Sequence, residues 1–170
     1  MVLKVVKYGD PILEKKCEPI TEFDTPELHK LVEDMFETMY SARGVGLAAP
    51  QVAIGKRLTV IDITAGEEGG ERLVLINPEI VVKEGTIIGE EGCLSIPGFR
   101  EDVKRAKRVR TRAQNVKGEF FEIEGEDMLA RAIQHEADHL NGVLFLSYLS
   151  PLKRDLIRRK IKKLQKAGEW

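Results

Sequence analysis

The ten residues IQHEADHLNG, at positions 133–142, constrain the fold of this chain more than any other stretch. If they form a helix, His135 and His139 lie one turn apart on the same face, so both imidazoles can reach a single metal ion. Glu136 then lies about 100° around the helix from His135. This H-E-x-x-H arrangement is typical of sites in which a metal lowers the pKa of a bound water and the glutamate takes its proton. The alternative is a helix whose histidines only pack or face water.

Three helices and several strands are predicted along the chain. The first helix has Asp24 or Thr25 as its N-cap and Pro26 at its first position. The second carries apolar residues at helical spacing from Asp127 onward, and Gly142 stands where a C-terminal cap is expected. Because the predicted strands mostly follow one another, with helices at the start and the end, we expect an α+β fold. These strands, rich in alternating or β-branched residues, are 58–63, 73–82, 103–114 and 119–124.

The last 20 residues combine basic charge with helical periodicity. Eight lysines and arginines against Asp155 and Glu169 give residues 151–170 a net charge of +6, leaving −7 for the first 150 residues of a chain whose total is −1. Ser150 and Pro151 suit the N-cap and first position of a helix, so a basic amphipathic helix is predicted over 151–167. Two interpretations are open: a helix docked by its apolar stripe with its charges in water, or a surface that binds a polyanion.

The composition limits the class of molecule. A chain of 170 residues, 42% apolar and 32% charged, is expected to form a single domain over 1–170 with a substantial core. The N-terminal stretch meets charges and Pro11 before any continuous apolar run, so neither secretion nor membrane insertion is expected. The two cysteines, Cys17 and Cys93, are too few for a disulfide framework and indicate the cytoplasm. An organellar enzyme without its transit peptide is the alternative.

A catalytic site of this kind usually has a third protein ligand for its metal. One metalloprotease class would supply a histidine where this chain has Phe145, so that class is excluded. Downstream acids lie only on the basic tail, and His29 and Cys17 have no chemically useful neighbours. Cys93, in the glycine-flanked stretch GEEGCLSIPGF, is the strongest candidate, because a thiolate binds divalent transition metals well and the N–H groups after it can become exposed donors.

A second loop, GVGLAAPQ at 44–51, consists mostly of small residues. Their lack of bulk lets another chain or a substrate approach the backbone closely, and Gln51 supplies an amide that can donate to a developing negative charge. Taken alone, this stretch is better explained as a helix C-cap followed by a small-residue loop.

Three stretches of the chain, in this order, resemble the three signature motifs of the peptide deformylase family. They are GVGLAAPQ at 44–51, EGCLS at 91–95 and QHEADHLNG at 134–142. The resemblance implies small antiparallel sheets around a central metal-binding helix, with an amphipathic helix at the C-terminus. It also implies that Cys93, His135 and His139 bind the metal and that Glu136 is the catalytic acid and base.

The same resemblance assigns the remaining site residues. Gln51 and the backbone N–H of Leu94 would stabilise the oxyanion that forms when the formyl group of a formyl-methionyl peptide is attacked. The substrate backbone would lie along residues 45–47 like an added strand, with the methionine side chain in an apolar pocket. Arg131 stands where some relatives have an apolar residue. The expected substrate-binding residues are Val45, Gly46, Leu47, Gly92, Arg100 and Ile133.

The resemblance further implies a divalent metal, usually iron(II), with zinc, nickel or cobalt as alternatives, and one cysteine with two histidines suits all of these ions. The expected partners are formyl-methionyl nascent peptides and, through the basic C-terminal helix, the ribosome, with no membrane and no specific DNA binding. Two other functions stay open: a general metallopeptidase or another small amidase, and an inactive ribosome-binding or structural-metal protein. Glu136 argues against the inactive protein, because a structural site gains nothing from a general base.

Overall fold

A computed structural model describes residues 1–67 and 69–170 of the chain. Short 3-10 helices lie at Pro11–Glu14, Ala49–Val52 and Phe145–Tyr148. The α-helices of the described residues are α1 (Pro26–Ser41), α2 (Asp127–Leu140) and α3 (Pro151–Lys166). The strands are β1 (Gly46–Ala48), β2 (Leu58–Ile61), β3 (Leu73–Glu84), β4 (Ile87–Cys93), β5 (Ile96–Arg105), β6 (Arg108–Gln114) and β7 (Phe120–Glu126). The predicted α+β class is confirmed.

Two antiparallel sheets surround the central helix α2. One has five strands in the order β1-β2-β3-β6-β7, and the other is the β4-β5 hairpin. Within the described part of the chain, β1 pairs only with β2, so it forms an edge of the larger sheet. The outer side of β1 therefore presents backbone N–H and C=O groups that another extended chain can pair with.

Helix α2 packs one of its faces against the larger sheet. Ala130 and Ile133 are buried there in a cluster with Ile61, Leu75 and other residues of the sheet. At the C-terminal end, Gly142 has a φ of 75° and its N–H donates to the carbonyl of His139, as predicted for a capping glycine. The histidines of α2 therefore lie on a helix that is fixed by its packing against the sheet and by the cap at its C-terminus.

The predicted strand over 103–114 is wrong, because the chain changes sheets in the middle of it. β5 ends at Arg105 and β6 begins at Arg108, and the two strands belong to different sheets. The side chain of Gln134, on α2, forms hydrogen bonds with the backbone between these two strands. Its Oε1 accepts from the N–H of Ala106 at 3.0 Å, and its Nε2 donates to the carbonyl of Ala106 at 2.9 Å. The backbone groups of Ala106 therefore pair with a helix instead of a strand.

The predicted starts of α1 and α3 are confirmed by their caps. Thr25 Oγ1 accepts from the N–H of Leu28 at 3.1 Å, and Ser150 Oγ accepts from the N–H of Lys153 at 3.3 Å. α3 packs through Ile157 and Ile161, which are buried in a cluster that includes Leu13 and Phe145. None of the helices in the described ranges is both long and apolar enough to cross a membrane.

Candidate metal centre

Three donor atoms from two elements converge at one point. His135 and His139 lie on successive turns of α2, and Cys93 is the last residue of β4. The two Nε2 atoms are 3.1 Å apart, and the Sγ of Cys93 is 3.4 Å from the Nε2 of His139. All three donor atoms lie within 4.8 Å of one another.

The chemistry of these donors fits a divalent transition metal. Two imidazole nitrogens and one thiolate are a three-ligand set that leaves a coordination position open for water or substrate. Burial, and then the neighbouring His135, lower the pKa of His139 well below its usual value, so this imidazole is neutral and offers a lone pair. Cys93, His135 and His139 could therefore hold a metal ion together.

Glu91 fixes the orientation of His135. Its Oε1 accepts a hydrogen bond from the Nδ1 of His135 at 2.8 Å, which leaves the Nε2 of that ring facing the other two donor atoms. Burial alone would raise the pKa of Glu91, but hydrogen bonds from Arg105 and His135 outweigh it and hold this pKa far below its usual value. Glu91 therefore stays ionised beside the three residues that could hold the metal.

Arg105 joins the elements around the centre through a buried ion-pair network. Its Nε and NH2 donate to Glu91 at 2.8 and 2.9 Å, and its NH1 donates to Asp138 at 2.6 Å. Arg131 adds a further hydrogen bond to Glu91 at 2.7 Å. This network is not predicted by the sequence. Glu91 and Asp138 lie close to the predicted ligands in the chain, but nothing in the sequence pairs them with Arg105.

Glu136 lies beside the three donor atoms. Thr59 Oγ1 is 3.4 Å from its Oε2, and the Nε2 of His135 is 3.9 Å from its Oε1. Burial is the largest influence on this carboxyl and raises the pKa of Glu136 to about 7, although His135 and Thr59 act in the opposite direction. A carboxyl with a pKa near neutrality can both accept and return a proton.

A cleft of about 790 Å³ opens beside these residues. Leu94 lies in the tight turn between β4 and β5, and Gln51 lies in the 3-10 helix that follows β1. His139 is buried behind the cleft wall. Of the residues predicted for the site, those that line the cleft are Val45, Gly46, Gln51, Gly92, Cys93, Leu94, Arg100, His135 and Glu136.

Two of the predicted substrate-binding residues, Leu47 and Ile133, are not among those that line the cleft, although the prediction for Leu47 concerned its backbone. Leu47 is fully buried and packs in the core cluster against α1. Ile133 packs against the larger sheet and does not line the cleft. Ile133 precedes His135 by two residues, a rotation of about 200° around the helix, so the two side chains lie on nearly opposite faces of α2. Three further residues of α2 have the helical spacing of His135 and line the cleft. The resemblance had already singled out the position of Arg131, whereas nothing in the sequence pointed to Met128 and Ala132.

The H-E-x-x-H helix meets the cysteine at the end of β4, and a buried carboxyl lines an open cleft beside them. This arrangement defines a metal-dependent hydrolase. Residues 2–155 match the family described as polypeptide deformylase. The chain belongs to this family, and its activity is the removal of the N-formyl group from newly synthesised polypeptides.

Individual relatives agree over the full length of the chain. A peptide deformylase of Acidobacterium capsulatum is 58% identical over 170 residues, which is 100% of this chain and 99% of the relative. The crystal structure of a peptide deformylase from Legionella pneumophila has a TM-score of 0.91 and 47% identity, over 99% of this chain and 98% of that one. A peptide deformylase structure from Thermus thermophilus has a TM-score of 0.89 and 41% identity, over 98% and 99% of the two chains.

Gly46 must lack a side chain for Glu136 to occupy its position. A Cβ on Gly46 would lie 2.9 Å from Oε1 of Glu136 and 3.1 Å from its Cδ. We expect Gly46→Ala to displace this carboxyl and to lower kcat/KM for formate release by roughly tenfold to a hundredfold, as small misplacements of reacting groups do. Gly55→Ala is the matched control, because a Cβ there would have no atom within 4 Å. Equal activity of the two variants would contradict this prediction.

Proposed function

We propose that Cys93, His135 and His139 are the metal ligands of this deformylase and that residues 1–170 act as one catalytic domain. Glu136 is the catalytic acid and base of this site. The observation that carries the proposal is a buried carboxyl, with its pKa raised to about 7, beside three convergent donor atoms and at an open cleft. A structural metal site would need neither the carboxyl nor the cleft.

A metal held by these ligands supplies a Lewis acid for the formyl carbonyl and lowers the pKa of a water molecule. Glu136 accepts the proton of the attacking water and then hands it to the departing amine, so that one residue serves both halves of the reaction. The amide Nε2 of Gln51 and the backbone N–H of Leu94 donate hydrogen bonds to the formyl oxygen as it gains negative charge. The products are formate and a peptide with a free N-terminal methionine.

The free edge of β1 is the proposed docking site for the substrate backbone. The extended peptide pairs with the main chain of Val45, Gly46 and Leu47, which leaves the residues after its methionine free to vary. Its methionine side chain enters the cleft near Gly92 and Arg100, which line it. Support for this placement comes from the position of β1 at the sheet edge, next to the cleft and to Glu136.

The function is tested with formyl-Met-Ala-Ser and N-acetyl-Met-Ala-Ser on protein purified without oxygen. We expect formate from the first peptide and no acetate from the second, because a formyl carbon bears only hydrogen and a tight site excludes the extra methyl group. Cleavage of the acetyl peptide, or of an internal peptide bond, at a comparable rate would favour a general amidase or peptidase instead.

The native metal is proposed to be iron(II), with zinc, nickel and cobalt able to replace it, because one thiolate and two imidazoles suit all four ions. We expect elemental analysis of anaerobically purified protein to show one iron per chain. A chelator is expected to abolish formate release, and added iron(II) to restore it. Anaerobically purified, active protein that contains zinc and no iron would overturn the iron assignment.

We further propose that the enzyme works in the cytoplasm and that α3 contacts the ribosome. Leu152 and Leu156 are 71% and 47% exposed on a helix whose lysines and arginines, apart from the half-buried Arg154, are also exposed. Reversing two of these charges, with Lys160→Glu and Lys163→Glu together, is expected to weaken co-sedimentation with ribosomes at low salt. The difference from the native chain should shrink as salt is raised, because salt screens the contribution of these charges.

The matched control for the α3 variant is Lys83→Glu with Lys117→Glu, which reverses two exposed charges away from α3. Both double variants are expected to keep tripeptide turnover, because Ile157 and Ile161, the buried residues of α3, are unchanged. Equal co-sedimentation of both variants and the native chain would discard the ribosome contact.

A further inference from the structure

Ser95 is a fully buried residue next to the site, and the mechanism above does not use it. It lies in the turn between β4 and β5, two residues after Cys93. Its hydroxyl oxygen is 3.1 Å from the Nε2 of Gln51. The backbone of Ser95 is held separately, since its carbonyl accepts from the N–H of Tyr8 at 2.8 Å. The hydroxyl can therefore be removed while the turn stays in place.

The hydrogen bonds of Gln51 determine which way its amide faces. Its Oε1 accepts from the backbone N–H of Ala48 at 3.0 Å, and because an N–H can only donate, the oxygen must lie on that side. The Nε2 then has two hydrogens to place. One points to the Oγ of Ser95, and the other points to the Sγ of Cys93 at 3.5 Å, on the side of the cleft.

The contact with Ser95 sets the direction of the other N–H of the Gln51 amide, the one that points to Cys93. The terminal torsion of a glutamine side chain is broad, so a single hydrogen bond to its oxygen leaves the amide free to pivot. A second anchor, at the nitrogen, removes that freedom. With Ser95 in place, only one N–H of Gln51 is left for Cys93 or for a substrate oxygen, and its direction is fixed before any substrate arrives.

We propose that Ser95 is a positioning residue that aims the Gln51 amide at the reacting oxygen. This inference rests on the proposed role of Gln51 as an oxyanion donor. A donor that is oriented in advance does not have to reorganise as charge develops, and this is the property that makes such donors effective. Ser95 itself touches neither the substrate nor the metal ligands in this scheme.

The test is a double-mutant cycle of Ser95→Ala and Gln51→Ala, measured with formyl-Met-Ala-Ser. Ser95→Ala alone is expected to lower kcat by about tenfold, with KM nearly unchanged, as a fraction of the 10²- to 10³-fold loss typical when such a donor is removed. In the Gln51→Ala background the same change is expected to cost less than about twofold, because Ser95 acts only through Gln51. Ser147→Ala is the matched control, since that hydroxyl bonds the carbonyl of Leu144 away from the cleft. It should leave kcat unchanged.

A spectroscopic readout separates this inference from the proposed function. In cobalt-substituted protein, the thiolate-to-cobalt absorption band reports the hydrogen bond that Cys93 receives from Gln51. Ser95→Ala and Gln51→Ala are expected to shift this band in the same direction, whereas Ser147→Ala should not. A band unchanged by Ser95→Ala, or an equal loss of kcat in both backgrounds, would overturn the positioning role. Absence of formate release by the native chain would instead reject the proposed function, and the band would still test Ser95.

Discussion

Replacing Glu136 with glutamine is expected to lower kcat for formate release by about 10²- to 10⁴-fold, the usual contribution of a positioned acid or base. Glutamine keeps the volume of the side chain and its hydrogen bond with Thr59, but it cannot accept the proton of the attacking water. The pKa of Glu136 is raised to about 7, chiefly by burial, so the native carboxyl can serve both proton transfers near neutral pH. The variant loses both transfers at once.

The metal content of the Glu136→Gln variant distinguishes lost proton transfer from a lost centre. We expect the same metal per chain as in the native protein, because Glu136 is not among the three convergent donors. Glu79→Gln, on the exposed surface of β3, is the matched control and should retain full activity. Near-native turnover of Glu136→Gln with a full complement of metal would remove Glu136 from the mechanism.

Arg105→Leu is expected to destabilise the fold by about 3–5 kcal/mol, the cost of breaking a buried ion pair by removing one partner. The side chains of Arg105 and Glu91 are each only 4% exposed, and Asp138 is 21% exposed. Without the guanidinium, Glu91 loses two hydrogen bonds and a positive charge in the interior, while Arg131 and His135 remain beside it. Urea unfolding of the metal-free protein measures this loss directly.

The same substitution should also weaken metal binding by roughly tenfold to a hundredfold, because partners that orient a ligand contribute that much to affinity. Arg108→Leu is the control, since it breaks an exposed pair with Glu84. Such pairs contribute little, so its unfolding curve should overlay that of the native protein. An Arg105→Leu curve that also overlays the native one would show that the buried network does not stabilise the fold.

The features that the sequence predicted correctly depend on short stretches of chain. The α2 helix, the Gly142 cap, and the Thr25 and Ser150 N-caps follow from residues within a few positions of each other. The apolar periodicity of α2 describes the contact of this helix with the sheet, where Ile133 packs, and not its contact with the cleft.

Features that depend on distant contacts could not be predicted in this way. The break between β5 and β6 is stabilised by Gln134, 28 residues away from Ala106 in the chain. Arg105 lies 14 residues from Glu91 and 33 from Asp138, and any of the many other acidic residues was an equally good partner on sequence grounds. Ser95 was hidden for the same reason, because its partner Gln51 lies 44 residues upstream.

The free edge of β1 is only three residues long. A peptide that adds to so short a strand, and whose first residue must reach the buried end of the cleft, has to arrive as a loose and extended chain end. An N-terminus already folded into a helix, or paired within its own sheet, offers no such end. Under the proposed docking, the enzyme thus competes in time with the folding of its own substrates, and a protein whose first residues fold quickly should be the one that keeps its formyl group.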